Sequence, residues 1–268
     1  MFYSFILGLI FLYLYTIYPG PNRKDKMYAF LNIHYAHRGL FDNNTQPENT
    51  LSAFQLALDK GYGIEFDVRM TKDNIPIVVH DLNLFRVCGE DLNVSDLSFK
   101  DLQVLNLFST NEKIPLLEDV LTMIDGKVPI IVEIKLNSGN DTSICEIITP
   151  LLDNYNGDYA VESFNPMILL WYKKNRPHVT RGQLSFDFFK ENGAYSFINF
   201  LMKNLMLNFL TKPDFVAYDH RDRNNLSLLI NKKIFKVPLV AYTIKSQSEY
   251  EKSKGLFDIF IFDSFLLK

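Results

Sequence analysis

Cysteine is almost absent from this 268-residue chain: Cys88 and Cys145 are the only two. With no C-x-x-C pair and no Cys/His cluster, they exclude a disulfide framework and a cysteine-ligated zinc centre, and both read as reduced filler. A charge excess of either sign is also lacking. The 28 Lys and Arg against 31 Asp and Glu leave a formal net charge of −3. That gives no long-range field for nucleic acid, so no nucleic-acid partner is expected and an anionic substrate must be held by local charges. Internal repeats and low-complexity linkers are missing, which argues against a second domain. With 47% hydrophobic and 22% charged residues, the chain can bury one large core and lacks the signature of disorder.

Charged side chains are missing from residues 1–22, MFYSFILGLIFLYLYTIYPGPN. A run of this length reaches the ~20 apolar residues that a helix needs to cross a bilayer. Tyr13, Tyr15 and Tyr18 suit an interfacial belt, and Pro19-Gly20-Pro21 stops the helix. A basic leader region and a small-x-small cleavage site are both lacking, so residues 1–22 predict an uncleaved transmembrane anchor, not a signal peptide. Arg23, Lys24 and Lys26 follow the run, and the positive-inside rule then places the rest of the chain in the cytoplasm.

What is present from residue 32 onward is alternation. Short β-branched and aromatic runs at 34–39, 63–68, 75–81, 128–135, 159–164, 180–185, 215–220, 238–244 and 257–263 are separated by longer amphipathic stretches. This is the pattern of βα units around a parallel sheet. The expected fold is α/β, a TIM-type (β/α)8 barrel over residues 32–268, joined to the anchor by a linker at 23–31. Nine runs are one too many for eight strands. The turn at 70–74 leaves no room for a helix, so one of the nine is peripheral.

The polar residues fall at one end of these runs: His37 and Arg38, Glu65 and Asp67, His80 and Asp81, Glu133 and Lys135. In a parallel barrel the C-terminal strand ends share the face where active sites lie, and the strand period of two puts Glu65 with Asp67, and Glu133 with Lys135. Three carboxylates without cysteine make a hard oxygen site suited to Mg²⁺ or Ca²⁺. Glu65, Asp67 and Glu133 would hold such an ion, and Arg38 and Lys135 would then bring the site to a net +1, complementary to a phosphodiester monoanion. His37 and His80 supply the two proton transfers that displacement at phosphorus requires, with acid and base not yet distinguished.

At this point the residues resemble the glycerophosphodiester phosphodiesterase family. AHRG (36–39), PENT (47–50), EFDV (65–68), TKD (71–73), PIVVHD (76–81) and VEIK (132–135) occur in the family's order and spacing, with a fainter trace through ESFNP (162–166), AYTI (241–244) and DIFIFD (258–263). The resemblance implies a TIM-type barrel that uses a divalent cation to release glycerol 3-phosphate and an alcohol from a small glycerophosphodiester. Its catalytic histidines fall on His37 and His80, its metal ligands on Glu65, Asp67 and Glu133, and its phosphate contacts on Arg38 and Lys135. Tyr242 stands where the family often has tryptophan. Phe262 stands where it often has threonine, which implies altered substrate contacts at that rim. Two alternatives keep the same residues: lysophospholipase D activity on membrane lysophospholipids, and a non-catalytic, membrane-bound barrel that binds phosphate esters.

Other polar residues carry plainer readings. His34 lies on the opposite face of its strand from His37, and His178 is a solvated loop residue. His220 ends a barrel run and could line the mouth. Asp81 either orients His80 or, by a slight preference, caps the following helix. Glu162 ends the fifth run at the same rim. Pro47 and Glu48 start the first helix, with Asn49 near the metal's outer shell. The stretch 196–210 has a single charge, Lys203; it reads as a buried barrel helix, with a bilayer-resting element as the alternative.

Overall fold

The computed structural model describes residues 2–21, 24–193 and 195–267. Strands that are apolar on both faces must be covered on both, and here eight of them close on themselves. They are β1 (His34–His37), β2 (Gly63–Met70), β4 (Ile130–Ile134), β5 (Tyr159–Ser163), β6 (Thr180–Ser185), β7 (Phe215–Asp219), β8 (Leu239–Ile244) and β9 (Ile259–Phe262), with β3 (Pro76–Val78) outside the ring. The order β1-β9-β8-β7-β6-β5-β4-β2 is parallel throughout, and a β1–β2 pairing completes the barrel. The TIM-type expectation holds.

The surplus run is β3. It folds back antiparallel on an extension of β2, with Val68 opposite Val78 and Met70 opposite Pro76. His80 therefore does not end a parallel strand as the pattern predicted. It returns from beyond the mouth and arrives level with the end of β2, where the Val79 amide donates to the Asp67 carbonyl at 3.0 Å. The stretch that follows builds a small core of its own from Ile77, Leu84, Val87, Val94, Leu102 and Ile114.

The barrel interior holds Tyr35, Ile131, Leu184, Phe215, Val240 and Ile261. Gly182 is required by this layer, since a Cβ there would lie 2.1 Å from the Phe215 ring. Residues 24–30 close the end opposite the mouth: Met27 and Phe30 are buried, and the Tyr35 hydroxyl donates to the Phe30 carbonyl at 3.2 Å. A larger apolar layer, including Phe54, Phe66, Val120, Ile148 and Tyr172, lies between the sheet and its helices.

The N-terminal expectation needs correction. Helix α1 runs only from Phe2 to Ile17, 16 residues, and among the described residues no helix is long and apolar enough to cross a membrane. At 1.5 Å per residue such a helix spans ~24 Å, short of the ~30 Å hydrocarbon layer. Its last turns are also taken into the protein body. Ile17 is fully buried, the Asn208 side-chain amide donates to its carbonyl at 3.3 Å, the Tyr15 ring tilts against Phe209, and Tyr18 meets Phe235 edge to face. The 196–210 stretch is corrected too. It breaks into the helices Phe197–Lys203, with no buried residue, and Asn208–Thr211, which buries Asn208 and Thr211.

Candidate active site

Barrel closure aligns the acidic residues in rungs. His37 is the register partner of Glu65, Asp67 of Glu133, and Glu133 of Glu162. Paired residues of parallel neighbours point to the same side of the sheet, so all five project into the mouth. Glu65, Asp67 and Glu133 each offer an oxygen within 4.8 Å of the others', and all three are buried. His37 Nε2 stands 4.0 Å from Glu65 Oε2.

The loop after β1 is held in an unusual backbone conformation. Arg38 (φ 59°), Gly39 (φ 81°) and Asn49 (φ 58°) are all left-handed, a region that costs a non-glycine residue unless its surroundings compensate. Compensation comes from hydrogen bonds: the Arg38 amide donates to the Glu65 carbonyl at 2.8 Å, and the Asn49 amide to the Arg38 carbonyl at 2.9 Å. Gly39 admits no side chain, because a Cβ would lie 2.8 Å from the Ala53 carbonyl carbon.

The PENT segment divides its duties. Thr50 caps the helix Leu51–Asp59, its hydroxyl accepting from the Ala53 amide at 3.3 Å. Asn49 donates to Asp67 Oδ2 at 2.9 Å. Glu48 accepts from Arg38 Nη1 at 2.6 Å and from both terminal nitrogens of Arg86 at 2.9 and 2.7 Å. Arg38 is thus already engaged by Glu48, and its Nε faces Asp67 at 3.2 Å; any contact with a phosphate falls to its remaining edge. Lys135 Nζ donates to Glu133 Oε1 at 2.5 Å and lies 3.2 Å from Asp67 Oδ1.

Both histidines are oriented by carboxylates. Asp263, just past β9, places Oδ2 3.0 Å from His37 Nδ1, and Asp81 places Oδ1 2.5 Å from His80 Nδ1. An ionised carboxylate only accepts, so each Nδ1 carries the proton and each Nε2 is left with its lone pair free of that contact. Asp81 does not cap the next helix; Arg86 Nε holds its second oxygen at 2.6 Å.

Electrostatics separate the carboxylates. Burial works against ionisation of Asp67, yet Lys135 and Arg38 hold its carboxyl well below the usual range. Burial pushes Glu65 well above that range, with Asp67, Glu162 and Glu133 adding to the effect. Burial likewise raises Glu133, against the opposing pull of Lys135. Burial, followed by the neighbouring Arg38, lowers the His37 pKa despite Asp263. A trio whose members resist joint ionisation is short of positive charge. Asp67 Oδ1, buried and without a hydrogen-bond partner, faces only the Lys135 ammonium at 3.2 Å and keeps acceptor capacity to spare. An oxygen-seeking divalent cation fits both observations.

The other sequence expectations divide. His34 packs outward against Tyr250 and Phe260, and His178 is exposed. His220 is buried beside Glu249 at 3.8 Å, outside the carboxylate cluster. Tyr242 borders the mouth and donates to the Ser185 carbonyl at 2.7 Å. Phe262 corrects the expected substrate contact: it is fully buried in the outer core, its ring centroid 4.9 Å from that of Tyr62. Sequence reasoning missed Asp263 as the partner of His37, and Arg86 as the residue that holds Asp81, the partner of His80. Asp263 carried a signal, as a carboxylate at the end of the last strand; Arg86, on a short helix outside the barrel, carried none.

Comparison with known proteins was consistent. Residues 37–263 match the glycerophosphoryl diester phosphodiesterase family. A rat lysophospholipase D, GDPD1, is 26% identical over 97% of this chain and 78% of its own. A glycerophosphodiester phosphodiesterase from Caldanaerobacter subterraneus is 34% identical over 56% of this chain and 65% of its own. Among solved structures, an Oleispira antarctica phosphodiesterase in complex with the product sn-glycerol-3-phosphate superposes with a TM-score of 0.70 at 21% identity, covering 88% of this chain and 94% of that one.

Proposed function

The chain belongs to the glycerophosphoryl diester phosphodiesterase family, and from that premise we propose that its barrel mouth hydrolyses glycerophosphodiesters to glycerol 3-phosphate and an alcohol. Glu65, Asp67 and Glu133 would hold one divalent cation, Mg²⁺ or Ca²⁺. When bound, it would polarise a phosphate oxygen and neutralise charge that builds at phosphorus. Lys135, buried and positively charged, adds a fixed charge beside the same oxygens, and the remaining edge of Arg38 adds a directional donor. His37 and His80 divide the proton transfers: one Nε2 takes a proton from the nucleophile and the other returns one to the leaving alkoxide.

The observation that carries this reading is the approach of His37 Nε2 to Glu65 Oε2, 4.0 Å, in which a carboxylate-oriented imidazole stands over a buried, charge-deficient acidic trio. The test is release of glycerol 3-phosphate from glycerophosphocholine with Mg²⁺, Ca²⁺ or EDTA, beside His37→Ala and Glu65→Ala. Metal-dependent turnover lost in both variants is expected; turnover that survives EDTA and both substitutions would sink it.

A second substrate class, lysophospholipids, is favoured by a specific feature. Phe164, Phe186, Phe188 and Tyr242 form an aromatic wall at the mouth, with Phe164 6.0 Å from Lys135 Nζ. Apolar substrate can lie there without burying a polar group. The rat relative named a lysophospholipase D aligns over 97% of this chain.

A further inference from the structure

Every residue of α1 from 2 to 12, eleven in succession, is exposed, although the segment FYSFILGLIFL has no charged side chain. Its contacts define where it points. The Tyr13 hydroxyl meets Ser227 Oγ at 2.8 Å. Ser227 is in the first turn of the helix Leu226–Lys233, which starts shortly after β7 ends at Asp219 and so marks the mouth end of the barrel. Tyr18 meets Phe235 edge to face, beyond the other end of that helix. Helix α1 therefore descends along the barrel wall from Tyr13 to Tyr18, and residues 2–12 project past the catalytic rim. The helix Phe197–Lys203 follows β6 at the same rim and exposes Phe197, Ile198 and Phe200 at 76%, 49% and 44%. The Asn225 side chain, which donates to the Lys203 carbonyl at 3.3 Å, ties it to the same corner.

We propose that the barrel mouth faces a lipid bilayer, with residues 2–12 inserted into one leaflet and the helix Phe197–Lys203 resting on its surface. Hydrocarbon is the occupant that the chemistry of α1 selects. Phe5, Ile6 and Leu7 are consecutive, so their apolar side chains point around the helix, about 100° apart. A groove on a partner protein or a second copy covers one stripe, whereas lipid surrounds the helix. The helix satisfies its own backbone groups there. Eleven residues extend ~16 Å, close to half of the ~30 Å hydrocarbon layer, so the segment enters without crossing. Tyr13 and Tyr15 stand where the helix leaves the body, a position that suits rings with one polar end. This orientation deepens the lysophospholipid reading, since such substrates would enter the mouth directly from the leaflet. The docking itself does not depend on the assigned chemistry.

The test uses the full chain with sucrose-loaded phosphatidylcholine vesicles. Sedimentation with the vesicles is expected, with at least a tenfold loss of binding in F5E/L9E while turnover of soluble glycerophosphocholine is retained. Orientation is read by brominated-lipid quenching in a W171F background: F197W should be quenched, and Y28W, next to the Met27–Phe30 plug at the opposite end, should not. Full-chain protein that stays in the supernatant, or binding that survives F5E/L9E, overturns the proposal. An oligomer dissociated by F5E/L9E in place of vesicle binding assigns α1 to a second copy and also overturns it. Quenching at position 28 without quenching at 197 overturns the orientation. Glycerophosphocholine turnover, run alongside, reports separately on the catalytic reading.

Discussion

Asp263 Oδ2 and His37 Nδ1 lie 3.0 Å apart, although 226 positions separate them in the chain. The contact exists because β9 pairs with β1 and carries Asp263 to the end of its neighbour. Burial opposes ionisation of Asp263, but the hydrogen bond from His37 holds its carboxyl below the usual range, so it is an acceptor at neutral pH. Asp263→Asn replaces that anion with a neutral amide and removes the preference for the Nδ1–H tautomer. The expected outcome is a fall in kcat/KM of about 100-fold or more with the fold intact. Activity within twofold of the parent would show that the contact does not orient His37.

Arg86 joins Glu48 to Asp81, and Asp81 joins His80, so a residue outside the barrel steadies one of the two histidines proposed to transfer protons. Arg86→Met leaves Glu48 paired with Arg38 but frees Asp81. Steady-state kinetics on glycerophosphocholine should show kcat reduced by about tenfold, with a smaller change in KM, because the loss is one of orientation and not of substrate binding. A change confined to KM would contradict this.

Glu162 is buried beside Glu133, and its Oε2 has no hydrogen-bond partner. Burial, reinforced by Glu133, raises its pKa well above normal. A carboxyl raised in the folded state binds more protons there than in the unfolded chain, so its contribution makes stability fall as pH rises above the unfolded value near 4.3. Glu162→Gln removes that dependence. In EDTA the variant should match the parent at pH 5 and exceed it at pH 8 by a few degrees in Tm, as for about 1 kcal/mol in a chain of this size. A Tm gap that does not grow with pH would be evidence against the assignment.

Gly182 is fixed by the Phe215 ring inside the barrel. Gly182→Ala should destabilise by about 2 kcal/mol through overpacking, measurable as a shift in urea midpoint with the slope unchanged. Unaltered stability would mean that the ring moves aside.

The parts of this molecule legible from sequence are those where chemistry and period coincide. Glu65 with Asp67, and Glu133 with Lys135, sit two apart on strands, and a period of two is enough to assign them one face. The fold was legible for the same reason. Arg86 was not, because its partners Glu48 and Asp81 lie on separate segments that only the tertiary structure brings to it. His80 was placed at the mouth by a wrong route: its strand runs antiparallel, and no periodicity reports the direction of a three-residue strand. The first 22 residues misled because length and hydropathy describe the run as a whole, whereas Ile17 is buried in the protein body and Tyr18 half-buried against it. Phe262 misled because position in a motif says nothing about which side of the sheet a residue faces.

The seam between β1 and β9 has a consequence for synthesis. A ribosome delivers His37 226 residues before Asp263, and until β9 docks the barrel is open along the edge that His37 occupies. A nascent chain that stops short of β9 would therefore carry Glu65, Asp67, Glu133, His80 and Lys135, yet lack an oriented His37. An oriented His37 in this arrangement certifies that β9 has been made and has docked.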